Sequence, residues 1–481
     1  MPKRPADIRK RPAALVHERH PDMPKRAISL AGGGPAAALH IGALEYLNEH
    51  GIKFDQPDDI WALSCIGAWV GIYYNQCDRG REPEQTRKFF REHVYRDDVS
   101  YSRFPINAVF GPDTVALTKA AVEFLADIEN YRNLVLPEKM LDFVRRTFEF
   151  SVDPKRWNQG DISKLALEFS ASHPATRFLT SFMYLSNLSG LSKMYYKNST
   201  FLNSIDFERL REPSKPFIFH NAFNLATRKI ELFANRMLDP PKLKTDGITR
   251  MIGKPEVPVV DVLCRWRDGK SESEIGREFG LTLNDVKDAL EYAVNNEKYQ
   301  LIDAHTLCAC SALPYIEETV RFENGTEYCE GALVDTVNFQ DLIEDHENVE
   351  QIWVSKIVNF EQINPPRNVC DALGNLCMLF AATVGDDDIR LFKYHARLDR
   401  EKPWLGEIVE IDFGAHANFN WNHDNFDKGV EAGRKAAEEA LRKHKSGYFK
   451  EKMDEAQKRW RHAVEYASTH SPHGHPKQAA E

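Results

Sequence analysis

Cys65 is the residue of this chain best placed for chemistry. It lies in the segment WALSCIGAWVGIYYN, an apolar strand, a tight turn and an apolar helix in succession. Gly67 and Gly71 follow it, and small Ala68 lets the helix pack close to the strand. An elbow of this kind holds one side chain on a strained turn at the positive end of a helix dipole. Upstream, Gly32, Gly33 and Gly34 end a second apolar strand, residues 27–31, and a helix is expected to begin near Pro35. Two glycine-rich strand-to-helix turns about thirty residues apart predict an oxyanion hole facing a nucleophile. Its donors would be the backbone N–H groups of Gly32, Gly33 and Gly34, assisted by that of Ile66. Ser64, adjacent to Cys65, should point to the opposite face of a strand of period two, so it is not expected to act in place of the thiol.

The order of segments resembles the patatin-like phospholipases, whose pattern is G-G-G-x-[K/R]-G, then G-x-S-x-G, then a distant D-G-[G/A]. Here the first reads Gly32-Gly33-Gly34-Pro35-Ala36-Ala37, the second Leu63-Ser64-Cys65-Ile66-Gly67, and the third Glu330-Gly331-Ala332. Ala309-Cys310-Ser311-Ala312-Leu313-Pro314 is similar to the family's A-S-x-A-x-P segment, and His220 to Asn235 is similar to its A-T-d-l-x-t-G-e strand. The resemblance implies an α/β fold, a three-layer sandwich around a mainly parallel sheet with a helical cap. It also implies that Cys65 stands at the nucleophile position and Glu330 at that of the base. The chain departs from the pattern at Cys65 for serine, Glu330 for aspartate, Ala36 for the basic residue, and Leu63 and Ala37 for glycines.

A helix N-terminus lowers a thiol pKa from about 8.5 and favours the thiolate. An ionised Glu330 would accept its proton, yet its charge would also raise the thiol pKa by repulsion. A tetrahedral intermediate formed by thiolate on an oxygen ester tends to expel the thiolate again. Activated acyl groups, thioesters or lactones, are therefore better suited than plain phospholipid. The expected function is a lipid acyl hydrolase or acyltransferase working through a Cys65 acyl-enzyme. The alternative is an inactive patatin-like binding or scaffold protein in which Cys65 is a small apolar residue at a packed turn.

The elements that must position these residues occupy a chain of 481 residues with 42% hydrophobic and 11% aromatic content. That is enough for one large α/β domain or two smaller ones. Net charge −9 and pI ≈ 6.1 argue against general nucleic-acid binding. Eight cysteines without a C-x-x-C pair read as reduced core thiols of a cytoplasmic protein, with peripheral membrane contact left open and no metal or organic cofactor implied. Residues 299–309 read as an apolar strand, and Cys308 and Cys310 as alternating positions along a strand. Residues 1–26 carry eight Lys/Arg against three acids and read as a disordered basic arm, solvated or touching anionic headgroups. The patatin-like domain is expected over 27–254 and 297–430, with C-terminal helices and a tail over 431–481. Residues 79–199 read as a helical cap, either a lid over an acyl chamber, ordinary core helix or a membrane-docking face.

Residues 255–296 read as an inserted module of two or three short helices. Ser271 opens a capping box, Gly280 makes a turn and Thr282 caps a helix. The segment resembles small antitoxin-like helix-turn-helix domains. Its last helix carries Asp285, Asp288 and Glu291 against Lys287, which favours a homodimer or protein contact over nucleic acid.

Overall fold

The computed structural model describes residues 24–103, 107–109, 111–112, 118–119, 121–123, 126, 145, 190–193, 199–244, 250–346, 348–366, 369–398, 404–414 and 420–470. The central sheet contains β1 (Arg26–Leu30), β2 (Ile60–Leu63), β3 (Phe217–Asn224), β4 (Lys229–Ala234), β5 (Tyr299–Leu301), β6 (Val320–Arg321), β7 (Glu327–Glu330), β8 (Gln351–Ser355) and β9 (Glu407–Ile411). Its order is β6-β7-β3-β2-β1-β8-β9, with β4 pairing β3 and β5. β1 is parallel to β2 and β8, β2 to β3, and β8 to β9. β4 and β7 each pair antiparallel with β3, β6 pairs antiparallel with β7, and β5 pairs parallel with β4.

The helices of the chain include α1 (Ala37–Glu49), α2 (Ile66–Gln76), α3 (Val259–Arg267), α4 (Glu272–Phe279), α5 (Leu283–Asn295), α6 (Ala304–Cys310), α7 (Val369–Leu398), α8 (His423–Lys445) and α9 (Tyr448–His470). Strand periodicity of two divides the apolar side chains between two cores. Ile28, Leu30, Trp61, Leu63, Ile218, Trp353 and Val409 pack with α1, α2, α6 and α8. Ala27, Ile60, Ala62, Phe217, Phe219, Ile352 and Val354 pack with Phe339, Leu342, and Ile389 and Phe392 of α7 on the other face. Burial of both faces is why these parallel strands read as continuous apolar runs rather than alternating ones.

The segment expected as a strand over 299–309 divides into β5 and helix α6. Asp303 caps α6, accepting from the Thr306 N–H at 2.9 Å while its own N–H donates to Thr306 Oγ1 at 3.0 Å. That reciprocal cap starts a helix where an apolar run alone suggests a strand, so Cys308 and Cys310 lie on a helix. The stretch from His220 to Asn235 is a hairpin, not one strand. It turns where the Asn224 side chain accepts from the N–H groups of Ala226 and Thr227 and where Arg228 has φ 57°. α7 and β9 were not anticipated from the sequence.

Residues 255–296 hold three helices, α3 to α5. The Ser271 and Thr282 capping boxes are formed, and Gly280 is left-handed at φ 69°. Val259, Val262, Leu263, Ile275, Val286, Ala289 and Ala293 make a core of their own. The basic arm lies outside the described residues except at its end, where Arg26 opens β1. Most of the expected cap and the C-terminal tail lie outside them too. Within the cap range, Gly190–Lys193 is a strand paired with Gly111–Pro112 and with Tyr315–Glu317, a separate small unit with its own sheet. Backbone pairing of these short segments overrides the helical pattern read there. Among the described residues no helix is long and apolar enough to cross a membrane.

Candidate functional site

β2 and β7 lie along the same edge of β3 and run towards each other. Leu63, the last residue of β2, pairs with His220, and Glu330, the last of β7, pairs with Ala222. Their carboxyl ends therefore meet across Asn221. The chain leaving β2 must turn at once into α2. Cys65 makes that turn with φ 48° and ψ −120°, a conformation that costs a non-glycine residue energy and is retained where surrounding structure enforces it. Gly67 is obligatory just beyond it, because a Cβ there would sit 2.1 Å from the Leu30 carbonyl oxygen of β1. This close approach seats the positive end of α2 beneath Cys65.

The Cys65 side chain is partly exposed and hydrogen-bonded to the Glu330 carboxyl. Glu330 is 6% exposed, and its Oε2 is buried with no partner among the described residues. Burial pushes its pKa up to about 7, opposed by the bond from Cys65. A carboxyl so placed exchanges its proton near neutrality, as a general acid–base must.

Gly32 closes the third side. A Cβ built on it would lie 3.1 Å from both the Cys65 and Ala332 Cβ atoms and 3.5 Å from Glu330 Oε1. Among the described residues, the N–H groups of Gly32, Gly33, Gly34 and Ile66 donate to no other group. Gly34 adopts φ 51°. His40 braces this turn: with a pKa lowered to about 4 by burial it is neutral, so Nε2 donates to the Ala31 carbonyl at 2.9 Å and Nδ1 accepts from Ser355 Oγ at 2.7 Å. Both ring nitrogens are thereby engaged and His40 cannot serve as the base. Ala36, where the family pattern has a cation, is a buried apolar residue.

Ser64 is fully buried and turned away from Cys65. Its hydroxyl accepts from Asn338 Nδ2 at 3.0 Å and lies 3.4 Å from Asn221 Oδ1. Asn221 Nδ2 in turn donates to the Asp335 carbonyl at 2.7 Å, tying the loop after Glu330 to β3. Sequence reasoning missed this asparagine network; the pair Asn221 and Asn338, polar within apolar strand and loop segments, was its one available signal. It also missed the role of α6, whose last residue, Cys310, accepts a hydrogen bond from the Cys65 backbone N–H at 3.1 Å. Among the described residues no three His, Cys, Asp or Glu side chains converge to hold a metal.

The family model for patatin-like phospholipases matches residues 28–343, a span that includes the glycine turn, the elbow and Glu330. No curated protein matches the chain. Among solved structures, the chain is similar to VipD from Legionella pneumophila, with 12% identity over 87% of this chain and 67% of that one, at a TM-score of 0.33. On the extent of the family match, the chain belongs to the patatin-like phospholipase family.

Proposed function

We propose that the protein is a lipid acyl hydrolase or acyltransferase in which Cys65 is the nucleophile and Glu330 the proton carrier. Patatin-like phospholipases are lipid acyl hydrolases, and the observation that carries the finer reading is the Cys65–Glu330 hydrogen bond beside a turn of unengaged backbone donors. The Glu330 carboxylate takes the thiol proton as Cys65 sulfur bonds to the acyl carbonyl carbon. The resulting oxyanion is met by the N–H groups of Gly32, Gly33, Gly34 and Ile66, each such donor worth about 100- to 1000-fold in rate. Glu330 then returns the proton to the departing oxygen or sulfur as that bond breaks. Water or an acceptor alcohol, deprotonated by the same carboxylate, attacks the Cys65 thioester and frees the enzyme.

Thioesters and lactones fit this pair better than phospholipid esters. A thiol leaving group matches Cys65 in leaving ability and a lactone is activated by its ring, whereas the alkoxide of a plain phospholipid ester has neither advantage. The inserted α3–α5 module supplies a contact surface for a protein partner or second copy, its outer face carrying exposed Leu283 and Val294. The test is turnover of matched thioester, lactone and phospholipid substrates by the native protein and by Cys65→Ser. The reading expects native turnover of the activated substrates and a shift towards oxygen esters in the serine variant. Ester hydrolysis that rises in Cys65→Ser while the native protein handles no thioester would overturn it, and would favour the scaffold reading for the native chain.

A further inference from the structure

A second thiol lies against the proposed nucleophile. The backbone N–H of Cys65 points at Cys310 Sγ, 3.1 Å away. One covalent bond separates Cys65 N from its Cα and two separate Cys310 Sγ from its Cα, so the two Cα atoms are joined by a path of about 8 Å at full stretch, which bending at N, Sγ and Cβ shortens towards the range in which disulfides close. Neither residue is in a disulfide, and one is partly exposed and the other fully buried. That asymmetry divides their roles: an oxidant from solvent meets Cys65 first, and Cys310 can react only with what Cys65 becomes. The remaining nearby cysteines are less well placed. Cys308 lies two residues earlier on α6 and so faces roughly 200° away from Cys310. Cys329 precedes Glu330 on a strand, which directs its side chain to the opposite face.

We propose that Cys65 and Cys310 are a peroxide-reactive pair that closes reversibly to a disulfide. The Cys65 thiolate attacks hydrogen peroxide, forming a sulfenic acid and releasing hydroxide. The Cys310 sulfur then attacks the Cys65 sulfur, the S–O bond breaks, and hydroxide leaves. Cys310 must lose its proton for this step, and burial raises its pKa, opposed by the bond from the Cys65 N–H. The adjacent Glu330 carboxylate, whose charge acts on Cys310 and whose Oε2 has no partner among the described residues, takes that proton and passes it to the departing hydroxide, which leaves as water. Two electrons move from the thiols to each peroxide, and a low-molecular-weight thiol restores the pair by exchange. Closure caps the nucleophile and protects it from further oxidation to sulfinic acid.

The inference needs a reactive Cys65 thiol but not acyl chemistry, so the two readings fail separately. The experiment treats the full native chain with hydrogen peroxide under non-denaturing conditions, then maps peptides by mass without reduction. The expected result is loss of two of the eight thiols, a peptide joining Cys65 to Cys310, and full recovery on adding glutathione. Cys310→Ala should instead accumulate Cys65 carrying two or three oxygens, which glutathione does not reverse. Sulfinic Cys65 in the native protein with Cys310 still a thiol would overturn the proposal. So would a disulfide to any other cysteine, or eight unchanged thiols.

Discussion

A carboxyl that holds its proton until about pH 7 governs the chemistry available at Cys65. As a base, Glu330 works only when ionised, so turnover should rise with pH through about 7 and level off above it. Glu330→Gln should remove that inflection and lower turnover by about 100- to 10,000-fold. The same burial affects stability with a defined sign. The native state keeps the proton between the ordinary value of 4.5 and about 7, whereas the unfolded chain has released it. The stabilisation belonging to the protonated fold is complete below pH 4.5 and is lost as pH rises to about 7. Glu330→Gln should therefore raise the unfolding free energy measured with denaturant at pH 8 by up to about 3 kcal/mol, with no gain at pH 4. A variant equally stable at pH 8, or a native rate independent of pH between 5 and 9, would contradict this assignment. At this scale the sequence was most legible. The position of Cys65 follows from its spacing to the glycines and the turning away of Ser64 follows from the pleat, whereas the nearness of Glu330 to the glycine turn was implied only by the family resemblance. The Asn221–Asn338 network and the Cys310 contact depend on residues far apart in the chain, and apart from two asparagines within apolar segments nothing local marked them.

Elements were read less evenly, for identifiable reasons. β1, β2, α1 and α2 announce themselves because apolar runs end in glycine turns. α6 did not, since Thr306-Leu307-Cys308-Ala309-Cys310 is an apolar run that suits strand or buried helix equally. The Asp303–Thr306 cap decides the matter. Asp303→Ala should cost about 1 kcal/mol of stability, read as a lowered denaturant midpoint, because the first turn loses its acceptor. An unchanged midpoint would mean that packing of Leu307 and Cys310 alone sets the helix. α7 was missed because the outer face of its first half carries exposed Leu376, Leu379 and Phe380, so the polar side that marks a surface helix is confined to the stretch around Asp387 and Arg390. The inserted helices were legible from their caps, which are local and therefore visible in sequence.

At the scale of the molecule, a sheet buried on both faces brings the carboxyl end of β2 against that of β7 and sets the glycine turn beside them. The family match covers the same span, yet the chemistry proposed here departs from the family pattern at both central positions. Length and composition allowed one large α/β domain or two smaller ones but carried no information on strand order, which depends on long-range pairings such as Arg26 with Gln351. The central claim is covalent acyl transfer to Cys65, and it is tested most directly by intact-protein mass. Native protein and Cys65→Ala are each incubated with a panel of acyl thioesters, lactones and phospholipids. The account predicts a mass gain equal to one acyl group in the native protein alone, decaying as the acyl-enzyme turns over. No adduct and no turnover across the panel, or an adduct that persists in Cys65→Ala, would contradict it.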